Sequence, residues 1–486
     1  MTEKRKISIV YLATAIFVLL NTYWVYKDIY FGILIPLVCI LLLMYIFSLE
    51  KILLIAVFVT PLAIDIGDYD LGVSISIPSE PLLIGILFFI VLKILLEGGI
   101  DRRIVRHPIS LAILFNLAWM LLTAITSDLP LVSFKYLFSR MWFIFPMYLG
   151  GIMLFRTKTN IRLFIWAYVS ALIIVVFYTT WIHMGYDFSE KAGHWVMSPF
   201  YNDHTAYGVI LALFVPVMLG LALDKSVSGR QRLLALIAEI ILLVALYLSF
   251  SRAAWVSVGV AIGVLVLVKL HIKFKWIALT FIIGVVLFFS FSMEILDKLE
   301  KNKQDTSANF IEHVESISNI SSDASNLERI NRWKAAMRMF SERPFLGWGP
   351  GTYQFEYAPF QRASEKTIIS TDLGDMGNAH SEYIGPLAES GVLGLLSVLA
   401  ILVTVIYTGL NVYKKAASSQ TRILALSATL ALITYYIHGI MNNFLNTDKA
   451  SVPFWGIVAI IAALDLYYLN DEKDANHDSS GFKSFE

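Results

Sequence analysis

Residues 233–268 read LLALIAEIILLVALYLSF, then Ser251-Arg252, then AAWVSVGVAIGVLVLV. Two apolar runs are broken by one Ser-Arg pair. Each run is near the ~20 residues that a helix needs to cross a bilayer. Comparable runs recur along most of the chain. Hydrophobic residues make up 57% of it and charged residues 15%, whereas a soluble domain is about a quarter charged. The reading is all-α: a polytopic integral membrane helical bundle of about 12–14 spans. Spans are expected at 7–26, 29–47, 51–66, 79–96, 108–126, 133–155, 161–182, 204–223, 233–250, 253–268, 276–293, 383–410, 423–441 and 452–469. The shortest are expected to merge, break or re-enter. Pro36, Pro61, Pro146 and Pro216 are expected to kink their helices.

Charge gives the sidedness. With a cytoplasmic N-terminus, the inner segments hold Lys4-Arg5-Lys6, Lys51, Arg102-Arg103-Arg106, Arg156-Lys158-Arg162, Lys225-Arg230-Arg232, Lys269-Lys273-Lys275, Lys414-Lys415-Arg422, Lys473 and Lys483. The short outer loops hold only Lys27, Lys191 and Lys449. Cytoplasmic loops attract Lys and Arg, so both termini are expected inside. Four parts follow: a transmembrane bundle over 1–293, a large periplasmic loop over 294–382, spans over 383–470, and a disordered cytoplasmic tail over 471–486. Lys4, Arg5 and Lys6 precede an apolar run without a small-residue cleavage pattern, so a retained first span is expected. The single cysteine, Cys39, lies in an apolar run as a packing residue and builds neither a disulfide framework nor a metal cluster. A net charge of +1 points to no partner class. There is no Walker A loop and no dinucleotide fingerprint, hence no sign of ATP or a redox cofactor.

The large loop has two halves. Residues 297–325 are polar and read as loosely packed. Residues 326–342, NLERINRWKAAMRMFSE, place Arg329, Trp333, Ala336 and Phe340 on one helical face. Ser325 or Asn326 is expected to cap this helix and Pro344 to help end it. The turn Gly347-Trp348-Gly349-Pro350-Gly351 follows. An arginine among packed apolar residues needs a partner, either a salt bridge or a bound anion. Arg252, between two spans, raises the same choice against snorkelling at the interface. Lys135 and Arg140 lie in the outer half of their span. Four outward cations suit one diphosphate, because guanidinium groups bind phosphate oxygens bidentately.

His380 closes the loop in Asn378-Ala379-His380-Ser381, just before an apolar helix bearing Gly391 and Gly394. An imidazole there is suited to proton transfer near neutral pH. Asp375, Glu382 and Glu389 lie near it in sequence, and the glycines are expected to let the next helix pack closely. Arg332, Ser381, Glu382, Asn378 and Asn202 are candidate supporting residues. His183 and His194 read as surface residues. His438, near the outer end of its span, is a candidate for lining a cavity. The outward histidines show no metal-ligand rhythm.

His380-Ser381, nine residues, then Gly391 and Gly394 resembles the H-[NSQ]-x9-G-x-x-G signature of bacterial O-antigen ligases and their polymerase relatives. Arg329 before Trp333, Pro344 and GWGPG is similar to the large loop of that superfamily. SFSRA around Arg252 resembles its serine-arginine motif. YNDHTAYG at 201–208 resembles a segment in which asparagine more often stands where this chain has His204. The resemblance covers roughly residues 200–460.

The resemblance implies a membrane-embedded, metal-independent and inverting glycosyltransferase that needs no cofactor. Its donor would be a glycan on undecaprenyl diphosphate, presented at the periplasmic face of the bacterial inner membrane. Arg252 and Arg329 would hold the diphosphate, and His380 would activate the acceptor hydroxyl. The acceptor is a lipid A-core sugar in a ligase. In an O-antigen or exopolysaccharide polymerase it is a second lipid-linked glycan, and in a protein O-oligosaccharyltransferase it is a polypeptide. A flippase without chemistry would place its charges near the bilayer midplane instead. No nucleic acid partner is expected.

Overall fold

The computed structural model describes residues 3–28, 30–68, 73–271, 324–367, 370 and 377–469. The expected span 276–293, residues 297–323 of the polar half-loop, Asp375 and the tail beyond Asn470 lie outside the described residues.

The long apolar runs form helices because only a helix satisfies its own backbone groups in lipid. The first are α1 (Glu3–Tyr26), α2 (Ile35–Phe47), α3 (Leu49–Val59) and α4 (Ser79–Glu97). Then come α5 (Pro108–Ile125), α6 (Pro130–Ile144), α7 (Lys158–Met184) and α8 (His204–Leu223). Next are α9 (Gly229–Leu248), α10 (Arg252–Lys269) and the loop helix α11 (Ala324–Glu342). The last are α12 (Ile384–Lys415), α13 (Ser419–His438) and α14 (Asp448–Ala463). Among the described residues, nine helices are long and apolar enough to cross a membrane. The chain is an all-α, multi-pass membrane protein.

Two central helices explain where sequence hydropathy weakens. α13 carries several Ser, Thr and Tyr residues yet is buried along most of its length. It touches protein rather than lipid, packing on α8, α10, α12 and α14. Small residues permit the close approach. A Cβ on Gly208 of α8 would sit 2.6 Å from the Ser251 Cβ, and one on Gly220 would sit 2.7 Å from the Ser427 Cβ.

Several expectations are corrected. Residues 51–66 are not one span. α3 ends at Val59, and a turn at Thr60–Leu62 leads into a hairpin of β1 (Ile64–Asp68) and β2 (Val73–Ile77), with Ile64 opposite Ile77. Pro36 and Pro61 stand at the starts of a helix and of a turn, Pro146 sits in a π-helical turn over Phe145–Gly150, and Pro216 lies inside α8. α11 begins at Ala324, so neither Ser325 nor Asn326 is its cap. Cys39 is exposed rather than packed. His183, read as a surface residue, is buried with its Nε2 2.9 Å from the Ser189 carbonyl. Lys449, counted with the outer loops, is buried at the start of α14, where its Nζ donates to the Ala63 carbonyl at 2.9 Å.

The loops sort into two ends. At one end His107 meets Asp465 at 3.2 Å, Lys158 donates to Ser418 at 3.3 Å, and Arg156 stands over the Tyr467 ring. At the other end lie the hairpin, α11, the Asn378–Ser381 segment and the Asp203 and Leu445 loops.

Candidate functional site

The site is built on a break in α12. Gly391 has φ 69° and ψ −167°, a left-handed conformation that interrupts the helix. The glycine turn after α11 docks into that break. Trp348 N donates to the Ala388 carbonyl at 3.3 Å and Gly349 N to the Glu389 carbonyl at 2.7 Å. Val392 N donates to the Pro344 carbonyl at 2.9 Å. The backbones are so close that a Cβ on Gly391 would meet the Phe345 carbonyl, and one on Gly347 would meet Glu389. The Gly391 half of the signature therefore seats the loop turn, a more specific task than tight helix packing. Ala336, Met339, Trp348, Tyr353, Tyr357, Ala379 and Ala388 form a small separate core beneath it.

That core fixes the face of α11. The buried positions are Glu328, Ile330, Asn331, Arg332, Ala335, Ala336 and Met339, while Arg329, Trp333 and Phe340 are only partly covered. The expected face is thus rotated, because α11 docks on protein through polar groups as well as apolar ones. Arg332 Nε pairs with Glu328 Oε1 at 2.8 Å, and its NH1 donates to the Asn378 carbonyl at 3.2 Å. Its guanidinium lies 5.3 Å from the Tyr357 ring centroid. Glu328 also accepts from Thr367 at 2.9 Å and from Ser370. Arg332 therefore holds the His380 segment in place.

His380 follows a tight turn in which its N–H donates to Asn378 Oδ1 at 2.9 Å, and its own φ is 46°. Burial, with the charges of Arg329 and Arg332 next, pushes its pKa down to about 4 against the pull of Asp203 and Glu328. The imidazole is neutral at pH 7, so it is able to accept a proton. Ser381 is buried and its Oγ accepts from the Tyr383 and Ile384 N–H groups, capping the start of α12.

Two further elements meet at this place. Asp203 caps α8, accepting from Thr205 N at 2.7 Å and Ala206 N at 2.8 Å. Neighbouring His204 stacks on His194, with ring centroids 4.2 Å apart. Asn202 is exposed. His438, at the end of α13, is 1% exposed and has Arg329, Asp203 and His204 as electrostatic neighbours. Its Nδ1 lies 3.5 Å from Asn442 Nδ2, and its Nε2 has no hydrogen-bond partner among the described residues. Arg252 is the first residue of α10, next to Ser251, which touches Gly208 one turn after His204.

Arg140 and Lys135 do not join this cluster. Lys135 is on the exposed side of α6. It lies five residues before Arg140, which rotates it to another face of the helix. Arg140 is buried, with NH1 donating to the Leu445 carbonyl and NH2 to the Tyr136 hydroxyl, both at 2.8 Å. Its NH2 is 3.9 Å from Glu382 Oε2. Glu382 Oε1 accepts from the Tyr435 hydroxyl at 2.7 Å, Phe444 N at 2.9 Å and Leu445 N at 3.0 Å. Arg140 and Glu389 line two adjoining cavities. One is largely apolar, with Trp119, Met120 and Val398 in its wall. The other is polar, with Gln354, Asn378, Asn443 and Asn446. His380 lines neither.

A family model described as O-antigen ligase matches residues 237–399, which carry Arg252, Arg329, His380, Gly391 and Gly394. The matched segment is similar to the O-antigen ligase family. The chain is also similar to an uncharacterized protein of Haemophilus influenzae, with 20% identity over 246 residues. The match covers 46% of this chain and 55% of that protein, so the chain spans about half the length of the curated relative it matches. Sequence reading passed over Asp203 and Glu328 as site residues. For Asp203 the available signal was its place one residue before an apolar helical run, a capping position.

Proposed function

We propose that this protein transfers a glycan from undecaprenyl diphosphate to a hydroxyl of a lipid A-core sugar, at the periplasmic face of the bacterial inner membrane, with inversion at the anomeric carbon. The observation that carries the reading is His380, held neutral on a fixed turn beside the Arg329 guanidinium. The acceptor hydroxyl gives its proton to the His380 imidazole as its oxygen bonds to the anomeric carbon. The anomeric carbon–phosphate oxygen bond breaks, and its electron pair leaves on the diphosphate. Arg329 and Arg252 face the charge on that leaving group, where a guanidinium hydrogen bond is strongest. Arg332 acts indirectly, since its donors hold Glu328 and the Asn378 carbonyl.

The match to a family described as O-antigen ligase supports glycan transfer of the ligase or polymerase kind, and the lipid A-core acceptor is our reading within it. Reconstitution of the full chain with an undecaprenyl diphosphate-linked glycan and a lipid A-core acceptor tests the reading. A single transferred glycan per core is expected. A ladder of growing lipid-linked glycan in the absence of core would replace the ligase reading with a polymerase. No transfer to either acceptor would remove the transferase reading.

A further inference from the structure

The Arg140 cavities lie behind the Asn378–Glu382 segment, and the diphosphate reading leaves them unexplained. Asn378, Ala379, Ser381 and Glu382 line the polar cavity, whereas His380 between them does not. His380 instead meets the charges of Arg329, Arg332 and Asp203. The segment is thus a wall between two compartments.

The chemistry of the second compartment does not suit an anion. Arg140 already faces Glu382, and both outer nitrogens of its guanidinium are engaged. Glu389 adds a second carboxyl group to the same wall, its Oε1 accepting from Tyr353 N at 3.1 Å. A phosphate placed there would meet the Glu382 carboxylate, the buried Glu389 carboxyl group and one neutralised cation.

Two polar atoms of this compartment are left over. Arg140 Nε and Asn443 Oδ1 are buried and have no hydrogen-bond partner among the described residues. Arg140 as a whole is 7% exposed. A buried donor or acceptor left unpaired is costly. The orphans are one donor and one acceptor, on two residues that line one cavity. A hydroxyl answers both, because it donates once and accepts twice. Gln354, Asn378 and Asn446 supply further amide groups. The adjoining cavity is walled by Trp119, Met120 and Val398, an apolar lining. The pair matches an amphiphile with a neutral, polyhydroxylated head.

We propose that the compartment containing Arg140, Gln354 and Asn443 binds the sugar head of the acceptor glycolipid, with its alkyl chains entering the Trp119 cavity. The word acceptor rests on the transferase reading above. The sugar-binding chemistry does not.

The test uses the full chain in amphipol, free of sugar detergents, with Cys39→Ser and Gln354→Cys so that one thiol reports on the cavity. Maleimide labelling is timed with dodecyl maltoside, dodecylphosphocholine or undecaprenyl phosphate present. Dodecyl maltoside alone is expected to slow labelling, by about tenfold at ten times its Kd. Asn443→Ala in the same background is expected to abolish that protection while leaving the thermal transition in place. Protection by undecaprenyl phosphate but not by dodecyl maltoside would overturn the proposal and return Arg140 to phosphate binding. Equal protection by all three amphiphiles would overturn it as a greasy cavity, and protection by none as a cavity for water. Failure of glycan transfer in reconstitution, with maltoside protection intact, would remove the transferase reading and leave the sugar site standing.

Discussion

Gly349 donates its backbone N–H to the Glu389 carbonyl at 2.7 Å. This bond joins the large loop to the helix that follows the catalytic candidate. With the Val392–Pro344 bond at 2.9 Å it sets where α11 lies relative to His380.

Gly391→Ala should therefore act at a distance. A side chain there meets the Phe345 carbonyl and also adopts a left-handed φ of 69°. The strain alone is about 1–3 kcal/mol. The expected outcome is a lowered Tm for the purified protein and glycan transfer reduced well beyond that of Gly259→Ala, whose Cβ meets nothing within 4 Å. Normal transfer by Gly391→Ala would mean that seating the turn is unimportant.

The His380 imidazole gives a pH prediction with a definite sign. Its pKa is depressed to about 4, so it is already neutral at pH 6 and becomes protonated only as pH falls through about 4. kcat/KM, which reports the free enzyme, should stay flat from pH 8 to pH 5.5 and fall below pH 5. An inflection near the ordinary histidine value of ~6.5 would refute this setting. His380→Ala should lose about 10²–10⁴-fold in transfer, the usual scale for a general base.

Arg252 and Lys135 are both outward cations in the sequence reading, and the structure puts Lys135 on the exposed side of α6. Lys135→Ala, on the exposed side of α6, should leave the donor KM within about twofold, as for a surface charge. Arg252→Ala and Arg329→Ala should each weaken the diphosphate by roughly 10–100-fold, from about 1.5–3 kcal/mol per charged hydrogen bond. Donor titration at fixed acceptor measures both. A Lys135 effect equal to that of Arg252 would restore the four-cation clamp.

His438 offers a test by conservative replacement. Its buried Nε2 has no hydrogen-bond partner among the described residues, while Nδ1 lies near Asn442. If Nε2 meets substrate, His438→Gln, whose amide nitrogen reaches about as far as Nε2, should retain more transfer than His438→Asn, which ends near the Nδ1 position. Equal activity of the two variants would assign His438 to packing. The thermal transition of each variant separates loss of fold from loss of contact.

The membrane bundle was legible because apolar run length is a direct physical requirement of the bilayer. Even α13, with its Ser and Thr, was found from the runs. The hairpin at 64–77 was missed although Val73-Ser74-Ile75-Ser76-Ile77 alternates with period two. The apolar run before it hid the change of period. At the site, His380, Arg252 and Arg329 stand out as charges in unexpected places. The division between the His380 side and the Arg140 side was not legible. It depends on Glu382 reaching Tyr435, Phe444 and Leu445, contacts more than fifty residues away in sequence. The face of α11 was read one position out, since Glu328 and Arg332 are buried as a pair, which hydropathy alone treats as exposed.

The hairpin bears on how this protein could be cut. Asp448 accepts from Ser76 at 3.2 Å and from Ser79, and Lys449 reaches back to the Ala63 carbonyl. The segment matching the family model begins at 237, long after those partners. A fragment trimmed to the matched region and its following helices would keep Arg252, Arg329 and His380. It would also strip the buried Asp448–Lys449 pair of its neutral donors and acceptor, at about 1.5–3 kcal/mol for each hydrogen bond to a charged group. A fragment that keeps the partners of this pair therefore extends back at least to the hairpin.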